Sequence, residues 1–151
     1  MGSFVLLSSL VLPVLVAAPP SDHSRLQAFE AATRDPDPRR ALALARQGLP
    51  KARPAGYEGS SPLFCAALRG WEDVARLLLD QGHLPDGWGE GDRPLLMALG
   101  QESPGFVRLL LEKGAKAHRL PTDFRSPLGA AAKTGKLELV ELLLAKGVDA
   151  T

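Results

Sequence analysis

One cysteine, three histidines, one tyrosine and two tryptophans are few chemistry-bearing side chains for a chain of 151 residues. Each scarcity excludes something. Cys65 alone cannot close an internal disulfide, so the fold does not depend on oxidation. It sits among Leu63, Ala66 and Ala67 with no activating base nearby in sequence, which reads as a small buried hydrophobe and not a nucleophile. His23, His83 and His118 come without a His-Glu-x-x-His pattern, paired cysteines or an acidic calcium loop, so no metal site is expected. The glycine-rich "GWGEGD" at 87–92 follows no strand and lacks phosphate-loop spacing. It also carries Glu90 and Asp92, which would repel an anion, so it reads as a turn. No nucleophile, base and orienting group assemble along the chain. No catalytic residue, cofactor or small-molecule substrate is expected.

An excess of charge of one sign is also missing. Eighteen basic residues against 17 acidic ones leave a net charge of +1, which argues against a nucleic-acid partner. The densest basic cluster is Arg39, Arg40, Arg46, Lys51 and Arg53, interleaved with prolines and preceded by Asp35 and Asp37; it reads as a solvated helix face. At 4–18, "FVLLSSLVLPVLVAA" is uncharged and mostly apolar. Its 15 residues fall short of the roughly 20 that a membrane span needs, but they suit the core of a signal peptide, with small residues at Val16, Ala17 and Ala18. Residues 1–18 are therefore expected to be a signal peptide and 19–23 a linker, making the protein periplasmic or secreted. The alternative is a membrane tether formed by the uncleaved segment.

What the chain does have is a period. "SPLFCAALRGWEDVARLLLDQG" at 61–82 returns as "SPLGAAAKTGKLELVELLLAKG" at 126–147, with ten of 22 positions identical. A weaker copy, "RPLLMALGQESPGFVRLLLEKG", lies between them at 93–114. The prolines at 62, 94 and 127 and the glycines at 82, 114 and 147 are spaced by 32 and 33 residues. A fixed period of that size marks a repeat architecture.

Each copy reads as two short helices. Ser61 is a natural N-cap and Pro62 suits the first helical position, where a missing N–H costs nothing. Leu63, Ala66 and Ala67 form a packing face, and Gly70 breaks the chain. A second helix is expected from Glu72 to about Asp80, burying Val74, Leu77 and Leu78 before Gly82 ends it. Ser126, Pro127, Leu128, Gly135, Leu139, Leu142, Leu143 and Gly147 repeat the pattern. One such pair cannot cover its own apolar face, so neighbouring pairs must stack. The intervening "HLPDGWGEGDR" and "AKAHRLPTDFR" read as turns projecting to one side.

These motifs resemble the ankyrin-repeat family, taken here as an exported, bacterial periplasmic type. Ser61-Pro62-Leu63 with Ala66-Ala67, and Ser126-Pro127-Leu128 with Ala130-Ala131, match its Thr-Pro-Leu-His-x-Ala-Ala. The stretches 110–115 and 143–149 match its Leu-Leu-x-x-Gly-Ala-Asp close. The resemblance implies an all-α solenoid of stacked helix-turn-helix units over 24–151, with 24–48 as an atypical first repeat whose helix is broken at Asp35-Pro36-Asp37-Pro38. The sequence also departs from the family. Phe64, Leu96 and Gly129 stand at the His position, so the usual hydrogen bonds between adjacent turns are expected to be missing. Arg93 replaces the capping Thr, leaving Asp92 as a candidate cap, and Glu102 replaces the inter-helix Gly. The middle of the stack is expected to be less regular than its flanks.

The resemblance further implies a non-catalytic module that holds a protein partner with its loop tips and the concave face of its inner helices. The matching positions are Tyr57, Glu58, Ser60, Leu68 and Arg69; then Trp88, Glu90, Asp92 and Gln101; then Thr122, Asp123, Phe124, Arg125, Lys133 and Thr134. An aromatic in each loop (Tyr57, Trp88, Phe124) suggests interface anchors, Trp88 foremost because its sequence neighbours cannot cover it. An inhibitor or immunity protein that caps a secreted enzyme or toxin would use the same surface.

Overall fold

Serine followed by proline starts two of the inner helices. The Ser61 Oγ accepts from the Phe64 N–H at 3.1 Å, and the Ser126 Oγ accepts from the Gly129 N–H at 2.9 Å. Each satisfies an N–H that the first helical turn leaves without an intrahelical partner. The computed structural model describes residues 17–89, 91–118 and 126–148. Among them run eight helices: α1 (Asp22–Ala32), α2 (Arg39–Arg46), α3 (Pro62–Arg69), α4 (Glu72–Asp80), α5 (Pro94–Gly100), α6 (Pro104–Glu112), α7 (Pro127–Lys133) and α8 (Leu137–Ala145). The first of them starts earlier than the sequence pattern indicates, because Ser21 caps it by accepting from the Ser24 N–H at 3.2 Å. An isolated antiparallel bridge pairs Gly89 with Asp92.

The helices form two layers. The odd-numbered helices pack in sequence as an inner layer, α1 on α3, α3 on α5 and α5 on α7. The even-numbered ones follow as an outer layer, α2 on α4, α4 on α6 and α6 on α8. This all-α solenoid is the architecture that the period requires. Its core runs between the layers through Phe29, Leu63, Leu78, Leu95, Leu99, Phe106, Leu110, Leu139 and Leu143. Burying each such side chain contributes about 1.5–3 kcal/mol against exposure. Small residues on the inner helices (Ala66, Ala67, Ala98, Ala131) are fully buried and let adjacent helices approach closely.

Two helix faces differ from expectation. Leu77 and Leu142 are half-buried, whereas Leu79 is buried. The buried stripe of α4 is Val74, Ala75, Leu78 and Leu79, because an outer helix touches neighbours on both sides as well as its own inner helix. Leu77 and Leu142 therefore fall at the rim of the stripe. On α8, Leu137 and Leu144 remain 68% and 49% exposed.

The irregularity expected in the middle repeat is local. Gly70 and Gly135, between the paired helices, adopt φ of 69° and 70°, and Glu102 takes φ of 55° at the same point of the middle pair. Glycine enters this left-handed region freely, while a residue with a Cβ pays about 1–2 kcal/mol. Lys136 partly offsets that cost, since its Nζ donates to the Glu102 carbonyl at 3.0 Å and pairs with its carboxylate at 3.2 Å. No helix among the described residues is long and apolar enough to cross a membrane. The expected signal segment lies, up to residue 16, outside the described residues.

Candidate interaction surface

Asp92 organises the turns. It is 4% exposed, and its carboxylate accepts from the Ser61 N–H at 3.0 Å, the Ser61 hydroxyl at 3.1 Å and the Trp88 N–H at 3.0 Å. Asp92 is therefore not the cap of α5. That role falls positionally to Arg93, which makes no side-chain capping bond. The carboxylate instead replaces the absent histidine bonds and ties the start of one repeat to the turn of the next. Gly87 permits the fold-over, because a Cβ there would lie 2.6 Å from the Asp92 carbonyl oxygen.

The loop aromatics use one another. Tyr57 is buried; its hydroxyl donates to Glu30 Oε2 at 3.2 Å, and its ring meets His23 edge-on at 5.7 Å. Burial, with Glu30 beside it, pushes the Tyr57 phenol up to about 12. Tyr57 thus folds back onto the first repeat and is a structural contact more than an exposed anchor. Trp88 stands edge-on to Tyr57 at 5.9 Å, and its indole N–H donates to the Lys51 carbonyl at 2.9 Å. The ring is half-buried, not free at a tip, because the repeat lays the preceding loop alongside it. The Arg53 guanidinium sits 5.9 Å from its centroid.

A second set of expected residues lines up along the C-terminal ends of successive inner helices. Leu68 (49% exposed) and Arg69 close α3, Gln101 caps α5 and Lys133 closes α7; all four are exposed. Arg69 stacks over Trp71 at 5.5 Å, which places Trp71 locally against its own repeat. Glu58 is exposed and Ser60 half-buried. Thr134 is a terminator: its hydroxyl donates to the Ala131 carbonyl at 2.7 Å. Glu90, Thr122, Asp123, Phe124 and Arg125 lie outside the described residues.

Lys51 and Arg53 do not belong to a helix face. Both follow α2 in an irregular turn and are exposed. With Leu84, Asp86, Trp88 and Lys116 they border a half-open groove of about 650 Å³ crossing three consecutive turns. The sequence signal was present but spread over three repeats, so reading clusters along the chain missed it.

Reactive groups are held quiet. Burial, with Glu30 and Asp92 nearby, pushes the Cys65 thiol up to about 12, which keeps it protonated. His83 is 5% exposed and its Nε2 has no hydrogen-bond partner among the described residues; burial and then the Lys51 ammonium hold its pKa below the ordinary imidazole range. No group of three or more His, Cys, Asp or Glu among the described residues could hold a metal ion.

Stacked helix pairs joined by such turns define a repeat protein of the ankyrin class. Residues 30–120 match the family of ankyrin repeats (3 copies), and residues 123–151 match a single ankyrin repeat. The chain belongs to the ankyrin-repeat family. It is similar to human ankyrin repeat and SOCS box protein 16, at 36% identity over 88 residues, covering 58% of this chain and 19% of that protein. It is also similar to the mouse B-cell lymphoma 3 protein homolog, at 34% over 95 residues, covering 62% and 21%. Among solved structures, the human ASB11 ankyrin repeat domain superposes with a TM-score of 0.66 at 31% identity, covering 80% of this chain and 54% of that one. The chain thus spans about a fifth of the length of these curated relatives.

Proposed function

We propose that the protein is a non-catalytic interaction module whose partner, a protein, lies across the turns and the C-terminal ends of the inner helices. One observation carries this reading. Leu68, Arg69, Gln101 and Lys133 are exposed at equivalent ends of α3, α5 and α7. Leu68 is an exposed leucine in this row, flanked along it by the polar side chains of Arg69, Gln101 and Lys133. Trp88 belongs to the adjoining turn side, half-covered and with area left to bury. A photo-crosslinking residue at position 88 or 101 should trap one discrete protein in the native cell, and the same residue at 146 should not. Equal trapping at all three positions would sink the reading. A partner enzyme that loses activity on binding would mark the protein as its inhibitor or immunity protein.

We read residues 1–18 as an export signal, which makes the compartment periplasmic or extracellular, as expected of an exported bacterial type. The support is the uncharged apolar run at 4–18 with small residues at its end. Intact mass of the protein from its native cell should show loss of about 17 or 18 residues if this reading of a signal peptide holds. Full-length protein in the cytosol contradicts it, and full-length protein in the membrane fraction identifies a tether.

A further inference from the structure

We infer that the groove crossing the three turns is a docking site for an extended acidic segment of a partner protein that carries an apolar residue between its acids. This rests on the reading of the chain as a protein-binding module and names the chemistry of what one part of it takes. The groove is built in three consecutive strips. Lys51 and Arg53 come from the first turn, Leu84 and Trp88 from the second, and Lys116 from the third. Leu84 is 62% exposed, the largest apolar exposure on any described turn. Cations of the first and third turns thus flank a middle strip in which Leu84 and Trp88 stand with Asp86 and Arg93.

The charges are unbalanced. Among the described residues, Lys51, Arg53 and Lys116 line the groove with the one carboxylate of Asp86, while Arg93 is engaged at the groove wall. That carboxylate already accepts from the Lys116 backbone N–H at 2.8 Å, and the Arg93 guanidinium donates to the Lys116 carbonyl at 3.0 Å. These two bonds stitch the second turn to the third and hold the groove open in a fixed shape. The side chains of Lys51, Arg53 and Lys116 form no ion pair among the described residues. Burial, and after it the Lys51 ammonium, disfavours protonation of His83. The chain as a whole carries only +1, so this local excess is a property of the turns and not of the composition.

An acidic peptide with an apolar residue fits this pattern better than a phosphorylated polymer does, because the middle strip exposes Leu84 and part of Trp88. Two steps between neighbouring repeats cover about 16–20 Å at ordinary helix spacings, which roughly five or six extended residues span. The predicted ligand is thus two acidic ends around one aliphatic or aromatic side chain set against Leu84 and Trp88.

The test is a titration of the full chain with a fluorescein-labelled peptide, Glu-Asp-Gly-Leu-Gly-Asp-Glu, read by polarisation. Trp88 emission in a Trp71→Phe background is followed in parallel. Binding should weaken about tenfold or more in the Lys51→Glu, Arg53→Glu double variant, and separately in Lys116→Glu. Lys146→Glu, at the end of α8 and outside the groove, should leave it unchanged. Raising salt from about 0.05 M to about 0.5 M should also weaken it, since the contacts are solvent-exposed. A peptide with glycine for leucine should bind several-fold worse and leave Trp88 emission unmoved. The inference is overturned if the acidic peptide fails to bind at millimolar concentration or binds the charge-reversed variants equally well. It is overturned equally if pyrophosphate displaces the peptide at matching concentration, because a plain anion site would then suffice. Position-specific crosslinking at 101 is independent of these variants, so the wider reading survives or fails separately.

Discussion

Replacing Asp92 by alanine should loosen the stack at its first two repeats. The carboxylate is 4% exposed and accepts three hydrogen bonds of 3.0 to 3.1 Å from Ser61 and Trp88. A hydrogen bond to a charged acceptor contributes about 1.5–3 kcal/mol when measured singly, and an orphaned buried donor costs about 1–3 kcal/mol. The three do not add. The Ser61 hydroxyl keeps its capping bond to the Phe64 N–H, and removing a buried carboxylate relieves its desolvation. The stranded groups are then the Ser61 and Trp88 N–H donors and the Ser61 O–H, which the capping bond leaves unsatisfied because there the oxygen accepts; the net cost is about 3 kcal/mol. In a chain of this length that lowers Tm by roughly 6–12 °C. Urea unfolding followed by helical circular dichroism measures the loss, and tryptophan emission reports whether Trp88 leaves its place. Asp92→Asn keeps one acceptor oxygen and should cost about half as much. A loss under about 1 kcal/mol for Asp92→Ala would refute the reasoning, showing that water satisfies these donors as well as the carboxylate does.

Other expectations follow from single positions. Glu102→Gly removes the strain of a left-handed backbone and forfeits only an exposed ion pair, so it should stabilise by about 0.5–1 kcal/mol; a destabilised variant would mean that the Lys136 contacts outweigh the strain. Leu143→Ala, at a fully buried position, should cost about 2–5 kcal/mol, whereas Leu142→Ala at the rim should cost about 1 kcal/mol; chemical denaturation that reverses this order shows α8 rotated from the orientation described. His83 has a folded-state pKa below its unfolded value of about 6.5, so the unfolded chain binds more protons in the window beneath it. Stability should be fully present above that value and fall as pH drops from about 6.5 towards the depressed pKa, and His83→Gln should flatten the slope in melts taken between about pH 7 and pH 5.

Much of the architecture is written in the sequence because proline, glycine and leucine do local work that repeats in register. Ser61, Ser126 and their prolines start helices by the chemistry of one turn, so periodicity alone places α3, α4, α7 and α8. The surface is less legible. Tyr57 and Trp88 look solitary along the chain, yet each finds its partners about one repeat away, at Glu30, His23 and Lys51. Asp92 suits a helix cap in sequence, and only the juxtaposition of turns reveals that Ser61 lies nearer. Lys51 and Arg53 lie beside the arginines of α2 in sequence, although the turn carries them to Leu84 and Lys116. Contacts between repeats are contacts at a separation of about 30 residues, which local patterns do not encode.

The central claim is that the turns and the inner-helix ends, and not the exposed leucines of α8, form the working surface. Quantitative enrichment of proteins from native extract on wild-type, Trp88→Ala, Arg69→Glu and Leu137→Lys/Leu144→Lys baits tests it most directly, with circular dichroism verifying each fold. Trp88→Ala carries an expected stability cost of about 1–2 kcal/mol, since it loses a hydrogen bond and the Tyr57 contact. The account predicts one protein whose affinity falls about thirtyfold for Trp88→Ala and at least several-fold for Arg69→Glu, as for an interface anchor worth about 2 kcal/mol. Leu137→Lys/Leu144→Lys should retain it. A partner that binds Trp88→Ala and Arg69→Glu normally and is lost on the α8 variant contradicts the account.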